Sequence, residues 1–373
     1  MAKTRCCVKP ISKGIFMRIL GMTHAEFVSA FFARYGKGAH YSTPVYRHVI
    51  KTGNLDLEML PVFSEAKSLG RQVQNEMVMD TGQIVRTITE QGVTKFVTRL
   101  SDGMTVESVV IPMLRPALRP MLQSMNGSTI RRVTVCVSSQ VGCRMGCRFC
   151  ETGKMGFFRN LLPAEIVGQV FAARHHVGEP VRNVVFMGMG EPLDNLENVC
   201  QAIRVMMDQR GLDIAGRHIT VSTAGLADDI HRLARMDDIP VNLAVSLNAP
   251  DDETRTSLMP VNRRFSMDAL RESLLGYQRV RPKTTLFVEY VLIQGINDAK
   301  SHALSLSRYL APLAAKVNLI PCNPAASGDF AAPSPEACDQ FRKWVVEEGV
   351  FVRQRGEKGG GIMAACGQLG REG

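Results

Sequence analysis

Three cysteines lie close together near the middle of the chain. Cys143, Cys147 and Cys150 have the spacing C-x3-C-x2-C. Thiolates at such spacing bind zinc or an iron–sulfur cluster. A closed tetrahedral zinc site needs four ligands, whereas a cubane cluster held by three thiolates keeps one iron open. The spacing therefore predicts a metal site that has a place for one further ligand.

Zinc would require another pair of cysteines or histidines near this loop. The nearest histidines, His175 and His176, fall at the end of a predicted helix, far from the loop. An open iron can bind and reduce a ligand, so a missing fourth thiolate is useful in a cluster. The residues alone leave both zinc and an iron–sulfur cluster open.

A carboxylate and another thiol are candidates for the same site. The glycines of the segment GMGEP let the backbone approach a ligand closely, and Glu191 can then accept hydrogen bonds from a bound ammonium. The alternative is a glycine-rich turn with a solvated glutamate. Cys366 lies in the glycine-rich segment EKGGGIMAACGQLG, which favours a mobile tail with a reactive thiol over a small buried apolar residue.

Composition limits the class of protein. The chain has 373 residues, 45% hydrophobic and 21% charged, enough for one large domain and a smaller one. The net charge of +10 favours a polyanionic partner such as RNA. No apolar run approaches a membrane span, and no signal-peptide pattern is present. We therefore expect reduced cysteines, a cytoplasmic location, no membrane partner and a monomer.

The element pattern predicts an α/β fold. From Arg132 onward, short apolar strands and helices alternate about six times, which is typical of a parallel sheet with βα crossovers. Before this, HAEFVSAFFARY predicts a helix, and the segment from Ile84 to Pro112 alternates like a small antiparallel sheet. The predicted units are a small helical domain (1–86), a β extension or linker (87–131), a partial (β/α)6 barrel (132–356) and a glycine-rich tail (357–373).

Five polar or glycine-rich loops follow the predicted parallel strands. In such folds the chemistry lies at the C-terminal ends of the strands, so these loops are expected to meet at one rim. They are the cysteine loop after the first strand, GMGEPLDN after the second, STAG after the third, SLNAP after the fourth and CNP after the sixth.

A cysteine loop of this spacing after the first strand of a partial barrel resembles the radical S-adenosylmethionine superfamily. Within it, CVSSQVGC, TGKMGFFRNL, GMGEPLDN, LIPCNP and AACGQL resemble the RlmN/Cfr family of adenosine methyltransferases, over roughly Val106 to Leu369. Pro192 in GMGEP resembles the RlmN branch. The resemblance implies methylation of carbon 2 of an adenosine in 23S rRNA, at the peptidyl-transferase centre, and in the tRNA anticodon loop. It also implies an electron donor such as flavodoxin or ferredoxin.

The resemblance implies roles for individual residues. The three loop cysteines hold a 4Fe-4S cluster, and S-adenosylmethionine is the fourth ligand. Cys366 accepts a methyl group from one S-adenosylmethionine, and a second yields the radical that activates this methyl group. Cys136 then releases the methylated base by forming a disulfide with Cys366, and Glu107 accepts a proton. The implied contacts with S-adenosylmethionine are Gly190, Glu191, Ser222, Ser246, Leu247, Asn248 and Asn323.

The chain departs from the family pattern in three places. Gly361-Ile362-Met363 stands where Asp-Ile-Asp is common, Asn248 stands where the family has histidine, and the connection over residues 113–132 is longer than usual. Two other functions remain open: methylation of carbon 8, as in the Cfr branch, and an RNA-binding protein whose iron–sulfur cluster has no catalytic role. The latter leaves Cys136 and Cys366 unexplained.

Overall fold

The computed structural model describes residues 17–79, 81–113, 132–323, 329–354 and 360–370. Most of the long connection before Arg132 therefore lies outside the described residues. The helices are α1 (His24–Tyr35), α2 (Ala39–Thr52), α3 (Lys67–Glu76), α4 (Glu151–Lys154), α5 (Pro163–His175), α6 (Leu196–Met207), α7 (Ala227–Ala234), α8 (Asp252–Leu258), α9 (Met267–Val280), α10 (Lys300–Leu310) and α11 (Pro335–Glu347).

Strands form one large sheet and two small pairs. The small pairs are β1 with β2 and β7 with β8. The strands are β1 (Met17–Arg18), β2 (Met77–Val78), β3 (Gln83–Glu90), β4 (Val93–Arg99), β5 (Thr105–Met113), β6 (Arg132–Cys136), β7 (Gln140–Gly142), β8 (Phe157–Asn160), β9 (Val181–Phe186), β10 (Ile219–Thr223), β11 (Asn242–Ser246), β12 (Leu286–Leu292), β13 (Ala315–Pro321) and β14 (Val352–Gln354).

The large sheet has ten strands in the order β14-β13-β12-β11-β10-β9-β6-β5-β4-β3. Its neighbours from β6 through β9 to β14 are parallel, and helices connect them, which confirms the predicted α/β partial barrel. The sheet is open, with β14 and β3 at its edges.

The predicted β extension is part of this sheet. Strands β3, β4 and β5 pair antiparallel, and β5 also pairs antiparallel with β6, the first strand of the barrel. The predicted boundary between residues 86 and 87 falls inside β3, which begins at Gln83. Alternation identified these strands correctly. The pairing of β5 with β6, however, joins segments that are not adjacent in sequence, and a local pattern does not report it.

The N-terminal helices pack on the barrel. The predicted helix HAEFVSAFFARY is α1, which begins with a capping box between Thr23 and Glu26 and ends at Gly36 in the left-handed conformation (φ 65°). The backbone N–H of His24 donates to Asp208 of the barrel at 2.7 Å. The structure therefore joins residues 17–79 to the barrel by polar and apolar contacts. No helix within the described ranges is long and apolar enough to cross a membrane.

Helix α5 is enclosed on nearly all sides. Ten of its thirteen residues are buried, because the sheet covers one face and the segment Ile19–Gly21 packs on another. His175 at its end contacts the Phe171 ring at 4.3 Å between centroids, and its Nε2 lies 3.2 Å from the carbonyl oxygen of Ile50 in α2. The helix therefore connects the N-terminal helices to the core of the barrel.

We expect Phe171→Ala to lower the free energy of unfolding by about 3–5 kcal/mol, because it leaves a cavity in fully buried packing. The matched control, Phe351→Ala, removes a ring that is 57% exposed and should change stability by less than about 0.5 kcal/mol. Urea unfolding of both variants measures the difference. Equal stability of the two variants would contradict the role given to α5.

Candidate active site

A cavity lies at the C-terminal ends of the parallel strands. The cysteine loop and the loops after β9, β10, β11 and β13 line it, as the order of elements predicted. Most of the predicted site residues share this cavity: Cys143, Cys147, Cys150, Gly190, Glu191, Ser222, Ser246, Asn248, Asn323 and Cys366.

The cysteine loop is held by a small hairpin that the sequence pattern did not predict. Strands β7 and β8 pair before and after the loop, and the N–H of Cys143 donates to the carbonyl oxygen of Gly156 at 2.8 Å. Gly142 must be glycine here, because it has φ 72° and an added Cβ would lie 2.0 Å from that same oxygen. The hairpin therefore fixes the backbone on which the thiols are presented.

The three thiols suit an iron–sulfur cluster. Burial raises the pKa of all three, that of Cys143 to about 12, so they need a bound metal to be thiolates at neutral pH. Within the described parts of the chain, no three His, Cys, Asp or Glu side chains are grouped as a single metal ion requires. In a cubane each thiolate binds a different iron, so its ligands are more widely separated. Three thiols are the ligand set of a cubane that keeps one iron open, whereas a closed zinc site needs four ligands.

The glycines of GMGEP serve the packing of one loop on another. An added Cβ on Gly188 would lie 2.7 Å from the backbone of Val137, and one on Gly190 would lie 2.6 Å from Gln140. Both neighbours belong to the segment after β6. Gly188 and Gly190 therefore allow close packing against the segment that leads to the cysteine loop, and both also line the cavity. Their approach to a ligand stays a prediction.

Glu191 is buried at the cavity wall. Its two carboxylate oxygens accept hydrogen bonds from the N–H groups of Leu193 (3.0 Å) and Ala224 (2.7 Å). Burial raises its pKa to about 7 in spite of these bonds. Its own N–H donates to Gln140 Oε1 at 2.9 Å. The carboxylate is thus fixed in position, and its remaining lone pairs can accept from a ligand ammonium.

Asn248 and Leu247 are engaged within the protein. Asn248 has φ 59°, a left-handed conformation that asparagine tolerates, and its Oδ1 accepts from the N–H of Val291 at 2.9 Å. The Leu247 side chain lies in the hydrophobic core, and it is not among the residues that line the cavity. The contact of Leu247 with S-adenosylmethionine stays a prediction.

Arg255 is a residue that sequence reasoning missed. It is fully buried on α8, and its guanidinium donates to the carbonyl oxygens of Leu247 (3.2 Å), Ser246 (3.2 Å) and Ala224 (2.5 Å). It also donates to Asn262 Oδ1 at 2.9 Å. One cation thus joins the loops after β10 and β11, which form adjacent walls of the cavity. The only signal for this role would have been an arginine in a short helix just after the SLNAP loop.

The tail carries Cys366 to the edge of the cavity. Asn323 Nδ2 donates to the carbonyl oxygen of Cys366 at 3.0 Å, and the N–H of Glu151 donates to that of Gly367 at 2.8 Å. Thr152 Oγ1 donates to the carbonyl oxygen of Leu369 at 2.6 Å. The tail is therefore docked against the helix that follows Cys150, and the Cys366 side chain is exposed.

Cys136 and Glu107 do not line the cavity but share one face of the sheet beside it. Cys136 pairs with Val109 across β6 and β5, and Val109 pairs with Lys95 across β5 and β4. Directly paired residues, and residues two apart on a strand, share a face, so Lys95, Glu107 and Cys136 lie on the same side. The N–H of Gly370 donates to Glu107 Oε2 at 3.0 Å, which places the tail on that side as well.

We expect Gly188→Ala to disturb the cavity, because the added methyl group meets backbone that cannot rotate away. Overpacking of this kind lowers stability by about 1–3 kcal/mol and should reduce the iron content of the purified protein. Gly38→Ala is the control, since no atom lies within 4 Å of its added Cβ. Iron analysis together with thermal unfolding measures both effects, and an unchanged iron content in the first variant would contradict the packing argument.

The chain is similar to known proteins over most of its length. Residues 137–305 match the family model of the Radical SAM superfamily. The chain is 37% identical to the probable dual-specificity RNA methyltransferase RlmN 1 of Protochlamydia amoebophila, over 94% of this chain and 93% of that protein. It is 39% identical to the dual-specificity RNA methyltransferase RlmN of Nitratiruptor sp., over 87% of this chain and 91% of that protein.

A solved structure has the same architecture. The crystal structure of a radical SAM methyltransferase from Sphaerobacter thermophilus matches with a TM-score of 0.83 and 35% identity, covering 95% of this chain and 99% of that one. The resemblance drawn from the cysteine loop and the rim motifs is thereby confirmed. The chain belongs to the RlmN family of the radical S-adenosylmethionine superfamily.

Proposed function

We propose that this protein methylates carbon 2 of an adenosine in 23S rRNA, at the peptidyl-transferase centre, and in the anticodon loop of tRNA. The observation that carries the proposal is the position of Cys366. This residue lines the same cavity as the three cysteines of the cluster loop, on a tail that hydrogen bonds from Asn323 and Glu151 hold in place. The relatives named above are described as dual-specificity RNA methyltransferases, which supports two RNA substrates.

The cavity supports radical chemistry on the base. Carbon 2 of adenine is electron-poor and does not attack a sulfonium methyl group, so an ordinary methyl transfer to it fails. A 4Fe-4S cluster held by Cys143, Cys147 and Cys150, with S-adenosylmethionine bound, supplies a carbon radical. In this proposal Glu191, which also lines the cavity, accepts hydrogen bonds from the amino group of S-adenosylmethionine.

Cys366 is the methyl acceptor in this proposal. Its thiol loses a proton, its sulfur forms a bond to the methyl carbon of S-adenosylmethionine, and the bond from that carbon to the sulfonium breaks. The exposed side chain and the docked backbone give the sulfur access to a donor in the cavity.

Cys136 and Glu107 complete the reaction. The radical removes a hydrogen atom from the S-methyl group of Cys366, and the resulting methylene radical forms a bond to carbon 2. The adduct loses the carbon 2 proton and one electron, which the one-electron carrier takes up. The Cys136 thiolate then attacks the sulfur of Cys366, the bond from that sulfur to the methylene carbon breaks, a disulfide forms, and the methylene carbon takes up a proton to become the methyl group; two external thiols then reduce the disulfide. Glu107 accepts the proton that leaves the base. Burial raises the pKa of Glu107, although the Lys95 ammonium opposes this, and a raised pKa suits a carboxylate that takes up a proton.

The partners follow from the same reaction. The net charge of +10 supports a polyanionic substrate, and the N-terminal helices are the proposed RNA-binding part. A one-electron donor such as flavodoxin or ferredoxin reduces the cluster. The protein acts as a monomer in the cytoplasm in this proposal.

The first test is mass spectrometry of nucleosides from rRNA and tRNA. Cells that lack a native methylase are compared with and without this protein, against synthetic standards. New 2-methyladenosine supports the proposal, and the RNA pool that contains it identifies the substrate. New 8-methyladenosine instead would assign the protein to the Cfr type. The absence of both products would contradict methylation of adenosine.

We expect Cys366→Ala to abolish 2-methyladenosine formation while cluster content stays at the wild-type level, because this thiol carries the methyl group. Cys338→Ala is the matched control: its thiol is buried on α11, away from the cavity, and product should still form. The same nucleoside assay reads both variants. Full activity of Cys366→Ala would remove the two-cysteine mechanism.

We expect the affinity for S-adenosylmethionine to fall as the pH is lowered through about 7, the pKa to which burial raises Glu191. The ionised carboxylate accepts from the ligand ammonium, whereas the protonated acid must first lose its proton, and this weakens binding by roughly tenfold per pH unit well below the pKa. Equilibrium dialysis at several pH values across this range measures the affinity for S-adenosylmethionine. Glu191→Gln should bind weakly without this pH dependence, whereas Glu253→Gln, at an exposed position, should keep it. An unchanged pH profile in Glu191→Gln would exclude Glu191 as the source.

A further inference from the structure

The tail that carries Cys366 is held at both ends by one buried ion pair. Lys95 Nζ lies 3.4 Å from Glu107 Oε1, and both side chains are about 95% buried, at 5% and 4% exposure. Lys95 Nζ also donates to the carbonyl oxygen of Met363 at 3.2 Å. Glu107 Oε2 accepts from the N–H of Gly370 at 3.0 Å. Met363 and Gly370 lie on either side of Cys366, so the two charges hold the ends of one loop.

A buried ion pair is a costly way to stabilise a fold. Removing two charges from water is unfavourable, and an apolar pair of similar volume often gives equal or greater stability. The pair does, however, present a donor and an acceptor that apolar side chains lack. Here these are used on the tail: the ammonium binds a carbonyl oxygen, and the carboxylate binds an N–H. The contacts thus match the polarity of the tail backbone at each end.

The tail backbone between these contacts suits such a loop. Met363 has φ 52° and Gly370 has φ 110°, so the chain turns sharply at both ends of the segment. Ala364, Ala365, Gln368 and Leu369 are buried, whereas Cys366 between them is exposed. The loop is therefore anchored by its flanks and presents its thiol.

We propose that Lys95 is a positioning residue for the methyl-accepting cysteine: with Glu107 it forms a clasp that docks residues 363–370 on the sheet and holds the Cys366 thiol at the cavity. The inference rests on the proposed function for the role of Cys366, and on the contacts alone for the docking. Strands β4 and β5, predicted as an extension or linker, thereby become the docking surface of the tail.

Lys95→Met tests the clasp, because it keeps the length of the side chain and removes the ammonium. Hydrogen–deuterium exchange is measured on the full chain with its cluster reconstituted. We expect exchange in residues 360–370 to rise roughly tenfold to hundredfold, the effect of losing a hydrogen bond to a charged group. Lys316→Met, an exposed lysine on β13, is the matched control and should leave the tail unchanged. Unchanged tail exchange in a folded Lys95→Met variant would overturn the clasp.

A second variant covers the case in which Lys95→Met loosens the whole sheet. The double variant Lys95→Met/Glu107→Gln leaves no unpaired buried charge, and its amide oxygen can still accept from Gly370. If the clasp is correct, exchange across β3–β5 returns to the wild-type level while tail exchange stays raised, because Met363 still lacks its donor. Wild-type exchange in the tail of the double variant would overturn the proposal.

The methyl group on Cys366 gives a second readout. Each variant is incubated with S-adenosylmethionine, and peptide mass spectrometry follows the S-methylation of Cys366. We expect the rate to be at least roughly tenfold lower in Lys95→Met than in Lys316→Met, which is the lower end of the effect of losing a hydrogen bond to a charged group. Equal rates would mean that Lys95 does not position this thiol. Because the exchange measurement needs neither RNA nor turnover, failure of RNA methylation in the wild-type protein would remove the proposed function and leave the docking result intact.

Discussion

The site depends on the contact between the loops that follow β6 and β9. The Ser138 hydroxyl accepts from the N–H of Met189 at 2.9 Å, and the N–H of Ser139 donates to the carbonyl oxygen of Met189 at 2.8 Å. Gly188 allows the two backbones to approach this closely. The loop after β6 leads to the three cysteines, and the loop after β9 carries Glu191. This contact therefore sets the distance between the cysteine loop and Glu191. The Arg255 guanidinium connects the loops after β10 and β11 by donating to the carbonyl oxygens of Ala224 and Ser246.

Local patterns in the sequence predicted the parts of the fold that are local. Alternating strands and helices gave the parallel sheet, and the rule that loops meet at the C-terminal ends of strands gave the cavity. The helical spacing of apolar residues in HAEFVSAFFARY predicted α1. The missed features depend on residues far apart in the chain. Lys95, Glu107 and Cys136 share one face only because β4, β5 and β6 pair in a particular register, and no spacing within a single segment reports this.

Two residues that depart from the family pattern, Gly361 and Asn248, can be related to the residues around them. A Cβ on Gly361 would lie 2.5 Å from Glu90 Oε1, so β3 already brings a carboxylate to the place where relatives commonly carry an aspartate on the tail. Two carboxylates there would repel each other, and glycine avoids this. Asn248 makes a different adjustment: its Oδ1 binds the backbone of Val291 and fixes the loop after β11 to β12.

The buried pair beneath the tail and the excess positive charge of the chain respond differently to salt. Exposed charges more than about 10 Å apart are screened at 0.1 M ionic strength, and phosphate contacts weaken steeply as salt is added. The Lys95–Glu107 pair, at about 5% exposure, is shielded from mobile ions. Ionic strength therefore acts on the encounter with RNA and leaves the docking of the tail unaltered, so the two steps can be separated by the choice of buffer alone.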